Sequence, residues 1–208
     1  MNSMVSVPHY IADNFLPDAV HQGLLAHTLK VDDFVAGKVV SKGAVDYHPD
    51  ARKGQLSNDR LGPYRPAFRA ALLAAFPDIC AATGVAQFDL AEIEIRLAAH
   101  KHGDFFSPHR DSFTGSDREQ TRGDRLITAV YYFHQTPRVF LGGDLHIHPF
   151  DRSAPAIIEP RNNRLVAFPS FMLHEVTTVS VSSAEFADSR FSISCWFDRQ
   201  RTNASPAV

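Results

Sequence analysis

Hydrophobic residues along this chain follow two different periods, and the change comes near residue 88. Before it, DNFLPDAVHQGLLAHTLK (13–30) carries Val20, Leu24, Leu25 and Leu29 at close to a 3.6-residue repeat, with Pro17 where a first turn would begin. PAFRAALLAAFPDICAATG (66–84) sets Phe68, Leu72 and Leu73 on one side and stops at Gly84, which predicts a second helix. Between the two, FVAGKVV and GAVDYH predict short strands. PDARKGQLSNDRLGP, which follows, is polar and predicts a mobile loop.

Beyond residue 88 the repeat shortens to two. FDLAEIEIRLAAH, RLITAVYYFH, GGDLHIHPF, NRLVAFPSF, HEVTTVSV and RFSISCWFD alternate apolar with polar residues, and Gly, Pro, Asn and Asp bound them. Helices first and short strands afterwards predict an α+β protein, a sandwich or jelly roll buttressed by N-terminal helices. No repeat or long linker divides the chain, so one domain over 1–208 is expected.

Composition narrows the function classes. At 208 residues, 44% hydrophobic and 21% charged, the chain has the make-up of a globular protein. A net charge of −2 gives no global field for nucleic acid or anionic lipid. No apolar run approaches the roughly 20 residues of a membrane span. The N-terminus lacks a basic stretch followed by an apolar one. Cys80 and Cys195 are expected as two buried free thiols, which with the foregoing predicts a cytoplasmic protein.

Candidate chemistry begins at SPHRDSF (107–113). In extended chain, His109 and Asp111 point to the same side and can meet one ion, although a surface loop explains the pair equally. His174, in PSFMLHEV, would complete two histidines and one carboxylate if its strand faces theirs. That set suits non-haem Fe(II) and leaves coordination positions open. In SRFSISCWFD, Arg190, Ser192 and Ser194 alternate onto one face and Phe191, Ile193 and Cys195 onto the other. An inward arginine needs an anion, either a bound carboxylate or a core Asp or Glu.

The succession His109-x-Asp111, ITAVYYF, GGDLHIHP, NRLVAFPSFMLHEV and SRFSISCWFD resembles the Fe(II)- and 2-oxoglutarate-dependent dioxygenases, prolyl-4-hydroxylase-like branch, over roughly residues 92–198. The resemblance implies a double-stranded β-helix (jelly roll), with 91–200 as the catalytic core and 1–90 as helical support and first strands. His109, Asp111 and His174 would be the iron ligands, with no catalytic residue beyond them. Arg190 would pair with the C5 carboxylate of 2-oxoglutarate, Ser192 or Ser194 assisting and the Tyr132 hydroxyl in contact. A core aromatic is the other reading of Tyr132. Gly142 and Gly143 match a double glycine of backbone function.

Two departures stand out: His100 occupies a position where the family often has tyrosine, and the segments after Asp111 and His174 are longer than usual. Those segments are expected to shape substrate entry. Fe(II) and 2-oxoglutarate, with ascorbate as a candidate reductant, would drive hydroxylation of a peptidyl residue such as proline, a free amino acid or a small metabolite. Neither a nucleic-acid nor a membrane partner is expected, and the oligomeric state is not legible. The alternative is a non-catalytic jelly roll that binds a metal or an anion. A zinc hydrolase lacks His-Glu-x-x-His, and Glu175 in a strand would point away from the metal. His102, His134, His146 and His148 are expected as surface or core residues. Arg52, Lys53, Arg60, Arg118, Arg122 and Arg125 are expected in solvated loops rather than at an entrance for acidic substrates.

Overall fold

β1 (Tyr10–Asp13) runs into α1 (Asp18–Thr28), and five short strands follow: β2 (Val35–Ala36), β3 (Val39–Ser41), β4 (Ala44–Asp46), β5 (Arg52–Lys53) and β6 (Gln55–Ser57). α2 (Arg65–Thr83) leads to β7 (Leu90–His100), β8 (Phe105–His109), α3 (Gly115–Glu119) and β9 (Gly123–Phe133). β10 (Phe140–Gly142), β11 (Leu145–His148), β12 (Ala156–Ile158), β13 (Arg164–Pro169), β14 (Leu173–Val176), β15 (Val179–Val181) and β16 (Arg190–Gln200) complete the chain. The structure is a computed structural model, and it describes residues 7–41, 44–46, 48–59, 61–119, 121 and 123–201.

The strands form a jelly roll. A seven-stranded sheet runs β1-β13-β9-β16-β7-β6-β2, and a five-stranded sheet runs β12-β11-β14-β8-β5. On β16, Phe191, Ile193, Cys195 and Phe197 are buried in a core shared with Leu24 of α1 and Phe68, Leu72 and Ile79 of α2. Each such side chain contributes roughly 1.5–3 kcal/mol by leaving water. Arg190, Ser192, Ser194 and Trp196 alternate to the opposite face and line a cavity walled on its other side by the five-stranded sheet. One strand thus serves the core and the cavity by its pleat alone. α2 ends as expected at Gly84, whose φ of 71° closes the last turn. Cys80 and Cys195 are buried and free. No helix among the described residues is long and apolar enough to cross a membrane.

The polar segment 49–63 is not the loop its composition predicts. It holds β5 and β6, which extend the two sheets by pairing with β8 and β7. Strands of two or three residues carry too few alternations to register in a sequence pattern, and here backbone pairing alone defines them. The segments after Asp111 and His174 likewise contain α3 and β15.

On the cavity face of β16, Asp198 is half-buried and its Oδ1 has no hydrogen-bond partner among the described residues. Burial pushes its carboxyl up to about 6, against the attraction of Arg125. The folded state therefore holds this proton more tightly than the unfolded chain, and the site opposes folding as pH rises from about 4 through 6. Asp198→Asn is expected to raise the melting temperature at pH 8, with the difference from wild type shrinking as pH falls towards 4. Paired melts across that range check it; a difference independent of pH would remove the assignment.

Candidate metal centre

β8 and β14 pair antiparallel so that His109 lies directly opposite His174. Asp111 follows two residues after His109, its backbone N–H donating to the Ser170 carbonyl at 3.0 Å. Register and that one turn bring all three side chains together, with one ligand atom from each within 4.8 Å of the others. His109 Nε2 lies 3.5 Å from Asp111 Oδ1, and His174 Nε2 lies 3.5 Å from Oδ2. In each imidazole, Nδ1 donates to a backbone carbonyl: His109 to Ser107 at 2.8 Å and His174 to Met172 at 3.0 Å. The second nitrogen is thereby left bare and aimed inward, as a metal ligand requires.

Asp111 is held as firmly. Its Oδ2 accepts from Thr128 Oγ1 and from Trp196 Nε1, each at 2.9 Å. Oδ1 is left as the oxygen for a cation. Burial pushes its carboxyl upwards, but His174, His109 and the Trp196 N–H outweigh that and hold it well below the usual carboxylate range. His174 moves the other way: burial first, then neighbouring His109, brings it down to about 4 despite the pull of Asp111. At neutral pH the cluster is one carboxylate with at least one neutral imidazole, a donor set for a borderline divalent ion such as Fe(II).

Arg190 projects from β16 into the same cavity and is 1% exposed. Its Nη1 donates to Ser192 Oγ at 3.4 Å, its guanidinium sits 4.8 Å from the Tyr132 ring centroid, and its Nε has no partner. The Tyr132 hydroxyl and both ring nitrogens of His100 are buried without partners as well. Burial, then Arg190 and Arg52, pull His100 well below its ordinary pKa, so it is neutral. A guanidinium, a phenol and an imidazole converge with unused hydrogen-bonding groups, and among the described residues no carboxylate is bonded to them, Asp144 drawing Arg190 only from farther off. That is the chemistry of a carboxylate cradle. Gly143 makes room for it: at φ 70° it carries no strain, and a Cβ there would stand 2.5 Å from Arg190 Cδ.

The structure therefore brings His109, Asp111 and His174 into one cluster, and Arg190, Ser192, Ser194 and Tyr132 onto the wall beside it. Tyr132 lines the cavity instead of filling the core beneath the helices, which the adjacent Tyr131 does. Glu175 turns away, as expected, and pairs with His148 at 2.9 Å on the outer face. His146 flanks the same carboxylate, His102 accepts from the Val181 N–H, and His134 packs edge-on against Phe140. Sequence reasoning missed Thr128 and Trp196. Their signal was present, since Thr128 shares the face of Tyr132, and Trp196 that of Arg190, by the two-residue period. Arg52, expected in solvent, lines the cavity, because β5 closes the edge of the five-stranded sheet. Lys53, its strand neighbour, is exposed, Arg118 pairs with Asp124 outside the site, and Arg125 stacks on Trp196. Arg60 and Arg122 lie outside the described residues.

The protein is similar to known ones in both sequence and fold. It is 29% identical over 196 residues to a PKHD-type hydroxylase of Synechocystis sp., covering 90% of this chain and 62% of that protein. The chain thus spans less than two thirds of that relative's length. Among solved structures it resembles a Pseudomonas putida prolyl-4-hydroxylase, with a TM-score of 0.67, 20% identity, and 94% and 95% of the two chains covered. A Trichoplax adhaerens prolyl hydroxylase, solved with a hypoxia inducible factor peptide fragment, gives 0.66 at 18% identity, covering 95% of this chain and 86% of that one. At those identities the likeness is one of fold. The model of the 2OG-Fe(II) oxygenase superfamily matches residues 95–198, half of the chain, and the chain belongs to that superfamily of Fe(II)- and 2-oxoglutarate-dependent enzymes.

Proposed function

We propose that this enzyme hydroxylates a small-molecule or peptide substrate, with residues 91–200 as its catalytic core and 1–90 as support. His109, Asp111 and His174 hold Fe(II); Arg190, with Tyr132 and Ser192 or Ser194, holds the C5 carboxylate of 2-oxoglutarate. One observation carries the reading: a buried guanidinium without a counter-ion shares a cavity with two bare imidazole nitrogens and a carboxylate. A metal alone would leave Arg190 unanswered, and an anion alone would leave the imidazoles without purpose.

When bound, Fe(II) and 2-oxoglutarate supply the oxidising power, one oxygen atom of dioxygen leaving in succinate as carbon dioxide is lost and the other entering the substrate. The chain's own residues orient and exclude. Ser107 and Met172 fix the ring tautomers through their carbonyls, and Thr128 and Trp196 fix the carboxylate. Val130, Leu145 and Val176 line the cavity with apolar surface, which keeps bulk water from competing for the metal.

The test is an anaerobic titration of metal-free protein with Fe(II) and 2-oxoglutarate, read by the weak visible charge-transfer band of the chelate. Saturation near one equivalent supports the proposal. Bound metal without a band would leave a metal-binding jelly roll and end the hydroxylase reading.

A further inference from the structure

Charge around the cavity does not balance once the proposed groups are in place. The two positive charges of Fe(II) and the one of Arg190 are met by Asp111 and the two carboxylates of 2-oxoglutarate. Beside it, Arg96 pairs with Glu94 at 2.9 Å, and Arg125 pairs with the same carboxylate and is drawn by Asp198 as well, so two arginines face two carboxylates. Arg52 is left over. It forms no ion pair among the described residues, and its Nε is buried without a hydrogen-bond partner.

Arg52 as a whole is half-buried, and its Nε lies in the part withdrawn from water. Its guanidinium lies 4.7 Å from the Phe106 ring centroid, and Phe106 stacks on His109 at 3.5 Å between centroids. The backbone at Gly37 lies against its side chain, so near that a Cβ there would stand 3.0 Å from Arg52 Nε. Burial, with Arg96 adding, brings its pKa down to about 10 against the pull of Asp111. A lone cation in such a place is costly unless an anion arrives with a ligand. The cosubstrate's carboxylates are already assigned, so the anion is the substrate's.

Resting on the function proposed above, we propose that Arg52 is a specificity-determining residue that grips a carboxylate of the substrate, seating it on the Phe106 side of the metal. The substrate class is then an anionic one: a free amino acid or other small carboxylic acid, or an acidic side chain of a peptide. A planar guanidinium suits a carboxylate held at two points.

The experiment uses full-length protein loaded anaerobically with Fe(II) and 2-oxoglutarate, and follows the perturbation of the visible band. The probes are the twenty free L-amino acids, their methyl esters, and N-acetylated, C-amidated peptides containing Asp or Glu. At least one acid is expected to perturb the band where its neutral counterpart does not, and the free acids against the peptides tell which source of carboxylate fits. Arg52→Leu should weaken that acid by about thirtyfold or more, leave 2-oxoglutarate affinity within about twofold, keep the wild-type circular dichroism and melt no lower than wild type. Absence of a band in wild type would end the underlying function reading. A band that no acid perturbs, esters that act as well as acids, or a fall in 2-oxoglutarate affinity in Arg52→Leu would each overturn the role of Arg52 alone.

Discussion

Replacing Arg190 by methionine is expected to abolish 2-oxoglutarate binding while making the ligand-free protein more stable. Both effects follow from one circumstance, a guanidinium that is 1% exposed and meets a serine hydroxyl and an aromatic face but no carboxylate. Removing one partner of a buried, hydrogen-bonded charge pair costs about 2–5 kcal/mol, roughly thirtyfold to several thousandfold in affinity. Without ligand, the same charge is a burden on the fold. Exchanging buried ionic groups for apolar ones of similar volume is often neutral or stabilising, by about 1–4 kcal/mol. In a chain of this length each of those corresponds to about 2–4 °C. The check is a pair of melts for each protein, with and without millimolar 2-oxoglutarate, at one constant concentration of divalent metal. Wild type should rise on adding ligand; Arg190→Met should start higher and not move. A variant that melts lower without ligand would mean that the guanidinium serves the fold.

His174→Ala should have an effect of similar size on the metal alone. In the proposed centre the residue is one of three protein ligands, from a buried strand position, and its ring is fixed by the Met172 carbonyl before any ion arrives. Loss of a mere supporting hydrogen bond to a ligand typically costs 10–100-fold in metal affinity, so deletion of a ligand is expected to exceed about a hundredfold. Competition with a chelator, followed by metal analysis of the desalted protein, measures it. Retention of Fe(II) at wild-type affinity would remove His174 from the centre. The ring is also neutral from its lowered pKa of about 4 upward, so acidification from pH 7 to pH 5.5 should not mimic the substitution through His174.

Much of this site could be read from the chain, and what could be read was local. A period of two puts Arg190, Ser192 and Ser194 on one face of β16 and Phe191, Ile193 and Cys195 on the other, as the structure has them. His109 and Asp111 are two apart, and spacing alone makes them candidates. That His174 lies opposite His109 is a fact of register between distant strands, and only the family resemblance anticipated it. The limits were equally physical. Arg52 sits in a two-residue strand among polar neighbours, where no periodicity can develop, and its burial comes from β8 and the backbone at Gly37. Thr128 and Trp196 obeyed the same alternation as their neighbours. What hid them was function, since a hydrogen bond to a ligand carboxylate leaves no pattern in sequence.

The two halves of the site stand on unequal footings. Arg190, Ser192 and Ser194 belong to an 11-residue strand paired on both sides by β7 and β9, each also of 11 residues. His109 closes a five-residue strand, and Asp111 lies beyond its end. Such segments part company in solution: a central strand opens only with the whole fold, whereas a strand terminus frays at a fraction of that free energy. In the proposed site, iron would therefore escape through brief local excursions around residues 109–111 while the carboxylate cradle stays assembled, and a bound dicarboxylate spanning both halves would act as the latch that slows its departure.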